Sequence, residues 1–217
     1  KFIKHNYKQT SFSLKIKHDQ IENKIARQFF LKEGPLALLP LSSTETSIVW
    51  SIKDFYLPLH LKEKKNYIYT KIKIILKDYF KLRKFSSIEI FNLNFQTSKN
   101  YYSSRILNFG DALHKIHPLA GQGFNMCIRD IIVLKKIINE KNKLGLDIGD
   151  GSALIEFSNK MKSKNFIYSS GIEIINDLFS IKKTPIITVR DITVQNINKS
   201  KLLKRFFLNF ANKGLIF

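Results

Sequence analysis

The sequence predicts a mixed chain of the α+β or α/β class, with an antiparallel sheet first and helices last. Three observations predict it. Short runs in which apolar and polar residues alternate recur between Lys8 and Ile52, the period-two signature of half-buried strands. From about Ser152 onward apolar residues return at helical spacing instead. Between the two regimes lies Gly110 to Asp130, G-D-A-L-H-K-I-H-P-L-A-G-Q-G-F-N-M-C-I-R-D, which has a short apolar run before it and a helix-compatible run after it.

Lys8 to Lys17 places Phe12, Leu14 and Ile16 on one face and Ser11, Ser13, Lys15 and Lys17 on the other, which predicts a strand. Ile25 to Leu31 is a second apolar stretch, and Gly34-Pro35 separates it from Leu36 to Leu41, read as a buried strand. Ser42 to Glu45 is turn-like and Thr46 to Ile52, with Val49 and Trp50, is again a strand, so the series reads as an antiparallel meander. From Lys62 to Phe80, Ile68, Ile72, Ile75, Leu76 and Tyr79 share one helix face and lysines occupy the other, a solvated face. Ile88 to Phe95 suggests one more strand, and Lys99 to Ser104 is a polar connection. The apolar run Ile106 to Phe109 has strand character and ends at Gly110-Asp111. Helix is expected from Phe124 to about Glu140, a break at Gly145 to Gly151, and a long helix from Ser152 with Leu154, Phe157, Met161, Tyr168, Ile172, Ile175 and Phe179 on its apolar side. Pro185 interrupts, and Leu202 to Phe210 forms a short basic amphipathic helix.

With 217 residues and 44% hydrophobic content the chain can bury a sizeable core. No apolar run reaches the length of a membrane span and no leader pattern is visible, so a cytoplasmic protein is expected. Cys127 is the single cysteine, which excludes an internal disulfide and reads as a small buried side chain. The net charge of +20 suggests nucleic acid or an anionic membrane as partner. Its distribution argues otherwise: only six of the 37 basic residues are arginine, and the lysines are scattered among Ile, Asn and Phe with no aromatic cluster. Nucleic acid is therefore not expected.

Gly110 to Asp130 carries the chemistry. A carboxylate, Asp111, is delivered where a strand ends, which is where open α/β sheets bind ligands. Pro118 stiffens the loop, and Gly121 and Gly123 let main chain approach a ligand closely. The Gly-Gln-Gly segment stands at a helix N-terminus, where free N–H groups and partial positive charge collect. Taken together these suit a carboxylate gripping a polyol while backbone amides hold a polar ring edge. His114 and His117, three apart, could share a helix face, yet no third ligand stands near in sequence and H-E-x-x-H is absent, so no metal site is expected. G-x-S-x-G, P-loop and C-x-x-C patterns are absent as well.

This stretch resembles the second flavin-binding motif, G-D-A-A-H-x-x-H-P-x-A-G-Q-G-x-N-x-G-x-x-D, of the FAD-dependent aromatic hydroxylases of ubiquinone biosynthesis. The resemblance extends to E-G-P-L-A-L-L-P-L at Glu33 to Leu41, S-I-V-W at Ser47 to Trp50, Lys204-Arg205-Phe206 and Gly214. It implies the C-terminal part of a p-hydroxybenzoate-hydroxylase-like FAD fold: a substrate-domain portion over residues 1–100, a returning FAD-domain strand, flavin loop and helix over 101–140, and a C-terminal helical segment over 141–217. It implies that Gly110 and Asp111 meet the ribityl chain of FAD and that Pro118 lies by the flavin ring. Leu119, Ala120, Gly121, Gln122, Gly123, Phe124 and Asn125 would offer backbone N–H groups to the ring's pyrimidine edge. The implied reaction is hydroxylation of a polyprenyl phenol with O₂, NAD(P)H being the electron donor, alongside other ubiquinone-biosynthesis proteins and at the periphery of the inner membrane. The resemblance assigns no catalytic acid or base.

The chain also departs from the family. Its strand–G-x-G-x-x-G–helix unit and its Asp-Gly motif are absent, and Leu113, Cys127 and Thr193 stand where Ala, Gly and Gly are usual. A back half of a longer enzyme, binding FAD weakly or not at all by itself, is the expectation. The alternative is a non-catalytic basic module that binds nucleic acid or anionic membrane.

Overall fold

A computed structural model describes residues 2–181 and 184–213. The chain divides into two compact units, Asn6–Leu93 and the remainder, made of the residues up to His5 together with those from Asn94 onward.

The Asn6–Leu93 unit is built on an antiparallel sheet. Its strands are β1 (Phe2–His18, whose first residues belong to the other unit), β2 (Arg27–Phe30), β3 (Pro35–Ser42), β4 (Glu45–Lys53) and β5 (Leu82–Phe85), with helix α1 (Leu61–Leu76) between the last two. The order is β2-β3-β4-β1, with β5 also on β1. Register brings the apolar positions together: Phe12 and Leu36 both oppose Trp50, and Leu14 and Leu38 both oppose Ile48. Ile68, Ile72 and Leu76 of α1 close this cluster, and all eleven side chains including Ile16 and Ile52 are at most 2% exposed. Fully burying an aliphatic or aromatic side chain contributes about 1.5–3 kcal/mol, so this layer carries the unit's stability. Gly34 fixes where β3 begins. It sits at φ 144°, and a Cβ there would lie 2.0 Å from the Ser51 carbonyl oxygen. A buried polar knot holds the sheet's other end, with Thr46 Oγ1 met by His18 Nε2 at 3.0 Å and Asn23 Nδ2 at 2.9 Å.

The second unit begins within β6 (Glu89–Ser98) and adds the hairpin β7 (Tyr102–Ser103) and β8 (Ile106–Leu107), then β9 (His114–Lys115), which pairs with β6 through Gln96 and Thr97. Helices α2 (Gln122–Lys143), α3 (Ser152–Ser180), α4 (Thr184–Lys199) and α5 (Lys201–Lys213) follow. Its interior is one cluster of Tyr101, Leu113, Ile137, Ala153, Phe157 and Met161, and a second of Leu119, Met126, Tyr168 and Ile172. Pro185 stands in the first turn of α4, where a missing N–H costs nothing. Among the described residues no helix is long and apolar enough to cross a membrane.

Four local expectations are corrected. Leu36 to Leu41 is half-buried: Leu36 and Leu38 face the core, whereas Leu39 and Leu41 are 42% and 51% exposed, because α1 covers only one face. The helix expected over 62–80 stops at Leu76, and Tyr79 leaves its apolar face for an edge contact with Phe29. The run Ile106 to Phe109 yields only a two-residue strand, whose partner is β7. His114 and His117 share no helix: one is in β9 and the other in the loop after it. Gly214 lies outside the described residues.

Candidate functional site

The stretch Gly110 to Asp130 folds as two tight turns, a strand fragment and the start of α2. Gly110 takes φ 59° and opens a 3₁₀ turn through Ala112, closed by the Leu113 N–H on the Gly110 carbonyl. Asp111 therefore rides on a turn rather than at the end of a strand. Its carboxylate is exposed, and among the described residues no side chain pairs with it. Leu113 turns inward and is fully buried in the Phe157 cluster, so its bulk is spent in the core and not on the loop.

Pro118, at φ −70° and ψ 31°, precedes a second 3₁₀ turn, Leu119–Gly121. Leu119 buries its side chain against Met126, Tyr168 and Ile172, and its N–H is bonded to the His117 carbonyl. Ala120 contributes the centre of this turn. Gly121 is in the left-handed conformation at φ 66° and forms the N-cap of α2, with nothing within 4 Å of where a Cβ would stand. Gly121 has no side chain with which to cap the helix, and no acidic residue stands in its first turn to offset the partial positive charge there. At Gly123 a Cβ would meet only Ile116 at an ordinary 3.7 Å, and Phe124 is 72% exposed.

Behind the exposed Gly121 and Phe124 the side chains are tied down. Gln122 Oε1 accepts hydrogen bonds from the Tyr168 hydroxyl of α3 and from Asn125 Nδ2 at 3.3 Å. The Arg129 guanidinium stacks 3.7 Å from the Tyr168 ring centre and donates to the Asn125 carbonyl. One turn deeper, His114 Nε2 meets Asp130 Oδ2 at 2.8 Å and Asn165 Nδ2 donates to Asp130 Oδ1 at 2.9 Å, both fully shielded from water. Tyr101 joins Asn165, and burial pushes its hydroxyl up to about 12. Thus β9, α2 and α3 converge on one carboxylate. His117 is also completely buried, and burial pulls its imidazole down to about 4, so it is neutral at physiological pH.

These placements decide what the loop can do. Neither histidine reaches solvent, so neither serves an exposed ligand as acid, base or metal ligand. Among the described residues no group of three or more His, Cys, Asp or Glu stands together. Cys127 is partly buried and burial raises its thiol. What remains outward is an unpaired carboxylate, a glycine-bearing turn and an uncapped helix N-terminus: acceptors for hydroxyls beside donors for an electron-rich edge. The sequence reading missed Asp130, Asn165, Tyr101, Tyr168 and Arg129. Asp130 closes the motif, yet its partner Asn165 is 35 residues away, beyond any local pattern.

Comparison with known proteins identifies the family. A family model described as "FAD binding domain" matches residues 6–143. Ubiquinone hydroxylase UbiL of Rhodospirillum rubrum is 28% identical over 206 residues, covering 94% of this chain and 48% of that protein. The mitochondrial ubiquinone biosynthesis monooxygenase COQ6 of Danio rerio is 27% identical over 247 residues, covering 97% of this chain and 51% of that one. The chain thus spans about half the length of the curated relatives it matches. In fold it resembles p-nitrophenol 4-monooxygenase PnpA from Pseudomonas putida, with a TM-score of 0.76 at 13% identity over 99% of this chain and 56% of that one.

Proposed function

Because the chain belongs to the FAD-binding-domain family, we propose that it is part of an FAD-dependent monooxygenase hydroxylating a polyprenyl phenol ring in ubiquinone biosynthesis. The observation that carries the reading is the exposed, unpaired Asp111 beside an uncapped helix whose N-cap is left-handed Gly121. Those residues fit the ribityl and pyrimidine side of a flavin. The sequence offers no G-x-G-x-x-G to cradle the diphosphate, so this chain accounts for one side of the cofactor only.

In this reading Asp111 accepts hydrogen bonds from ribityl hydroxyls, and Gly110 holds the turn that presents it. Pro118, Leu119 and Ala120 shape the wall of the site. Main-chain N–H groups of Gly121, Gly123 and Phe124 face the ring's pyrimidine edge, where the dipole of α2 favours negative charge, while Gln122 and Asn125, whose own N–H groups are held by the Leu119 carbonyl and the start of the helical ladder, support them. The bound flavin, reduced by NAD(P)H, supplies the activation of O₂. The Asn6–Leu93 sheet serves as the substrate-side portion, the stretch through α2 as the cofactor-side portion and the later helices as the C-terminal segment. Other ubiquinone-biosynthesis proteins and the periphery of a membrane, where a polyprenyl phenol resides, are the partners this reaction calls for.

The test joins the N-terminal half of the Rhodospirillum rubrum relative to this chain. The fusion should retain flavin, seen in its visible spectrum, and should consume NAD(P)H with a polyprenyl phenol. Asp111→Ala should release the flavin while leaving the circular dichroism unchanged. A folded fusion that keeps its flavin equally well with Asp111→Ala refutes the placement, and one that turns over no phenol refutes the substrate class.

A further inference from the structure

We propose that Tyr168, on α3, is a positioning residue for the cofactor-side loop: through the Gln122 side chain its hydroxyl holds the Gly121-Gln122-Gly123 main chain in the conformation that presents its amides. This rests on the flavin reading above and adds to it a residue that lies outside the loop.

The loop needs an anchor of this kind. Gly121 and Gly123 flank Gln122, and glycine leaves the main chain free to take several conformations. A Cβ at Gly121 would have nothing within 4 Å, and one at Gly123 would meet only Ile116 at 3.7 Å, so little packs against either position. Gln122 carries the one side chain between them. Its Oε1 accepts from the Tyr168 hydroxyl and, at 3.3 Å, from Asn125 Nδ2. Asn125 belongs to α2 and moves with it, whereas Tyr168 stands 46 residues further on, in a different helix. The tyrosine bond is therefore the one of the two that ties the glycine pair to the rest of the unit.

Tyr168 is itself firmly set. It is 4% exposed, its ring packs with Leu119, Met126 and Ile172, and the Arg129 guanidinium lies 3.7 Å from the ring centre. One turn earlier on the same face, Asn165 donates to Asp130, so α3 grips α2 at two levels. Because the ring serves the core, the hydroxyl can be removed without emptying it. Tyr168→Phe keeps the packing and takes away the bond to Gln122. Amides that are already aimed when a ring edge arrives bind it without an ordering cost, and loosened ones do not.

Two measurements test this. In the 217-residue chain alone, Tyr168→Phe should lower the backbone amide order parameters of Gly121 and Gly123 and leave those of Leu134 and Ile137, deeper in α2, unchanged. In the fusion described above, titration of the apoprotein with FAD should show Kd raised about three- to tenfold by Tyr168→Phe, as for the loss of one neutral hydrogen bond. Gln122→Ala should raise Kd at least as much, and adding Tyr168→Phe to it should change nothing further, because the two substitutions break the same bond. Ile167→Ala, on an exposed part of α3, should alter neither readout. Circular dichroism confirms that each variant is folded. Unchanged order parameters at both glycines, a Kd for Tyr168→Phe indistinguishable from wild type, or additive losses in the double variant overturns the proposal. A wild-type fusion that takes up no flavin overturns the flavin reading and this one with it, whereas a fusion that loses flavin with Asp111→Ala and keeps it undiminished with Tyr168→Phe overturns this one alone.

Discussion

His117→Gln should flatten the acid dependence of stability. The wild-type imidazole is completely buried, and burial lowers it from its ordinary 6.5 to about 4. Above pH 6.5 both folded and unfolded chains hold it neutral, and its contribution is constant. As pH falls from about 6.5 to about 4 the unfolded chain takes up a proton that the folded chain refuses. Stability is lost across that window and the loss is complete once the folded state also protonates. At 1.36 kcal/mol per pKa unit the span corresponds to roughly 3 kcal/mol, a large part of the 5–15 kcal/mol that holds a typical domain. Denaturant unfolding from about pH 7 to about pH 4 measures it, and the difference between wild type and His117→Gln cancels the carboxylates that titrate in the same range. The wild type should lose roughly 3 kcal/mol more than the variant. Parallel curves within about 0.5 kcal/mol, or an imidazole resonance that titrates near 6.5 in the folded protein, would refute the reasoning.

Asp130→Ala should cost about 3–5 kcal/mol in chemical denaturation, since it strips the buried His114 Nε2 and Asn165 Nδ2 of their common acceptor. Gly34→Ala should lower stability by about 2–4 kcal/mol, through strain at φ 144° and a Cβ driven into the Ser51 carbonyl, and it should act on the sheet unit alone in hydrogen exchange. Gly171→Ala lies inside α3 with nothing within 4 Å of the new methyl, so it should raise stability by about 0.5–1 kcal/mol.

How legible the fold was depends on whether a signal was local. Phe12, Leu14 and Ile16 announced their strand because period two holds from Phe12 to His18, whereas Ser11, read on the polar face, is buried along with Gln9 and Thr10. The long face of α3 was nearly as plain, with Phe157, Met161, Tyr168 and Ile172 all buried, although Ile175, read on the same side, is 40% exposed. Leu36 to Leu41 misled because a run of leucines reads the same whether one face or two are covered, and only the position of α1 decides. The strands β5, β7 and β9, two to four residues long, are made by their partners and leave no period to detect. At the candidate site the glycines, Pro118 and Asp111 were legible because they are local requirements of turns and a helix start. Asn165 and Tyr168 were not, since an ordinary helical sequence gives no notice that two of its polar groups will meet side chains of another helix 35 and 46 residues earlier.

The inward turn of Leu119 and Gln122 has one more consequence. A surface composed of amide groups has no side chains to delete. Alanine scanning across 118–125 would therefore report the anchors, buried Leu119 and half-buried Gln122, and pass in silence over the main-chain atoms. Mapping that surface calls for chemistry on the main chain itself, such as replacing single amides by esters at positions 121, 123 and 124, where each exchange removes one donor and leaves every side chain in place.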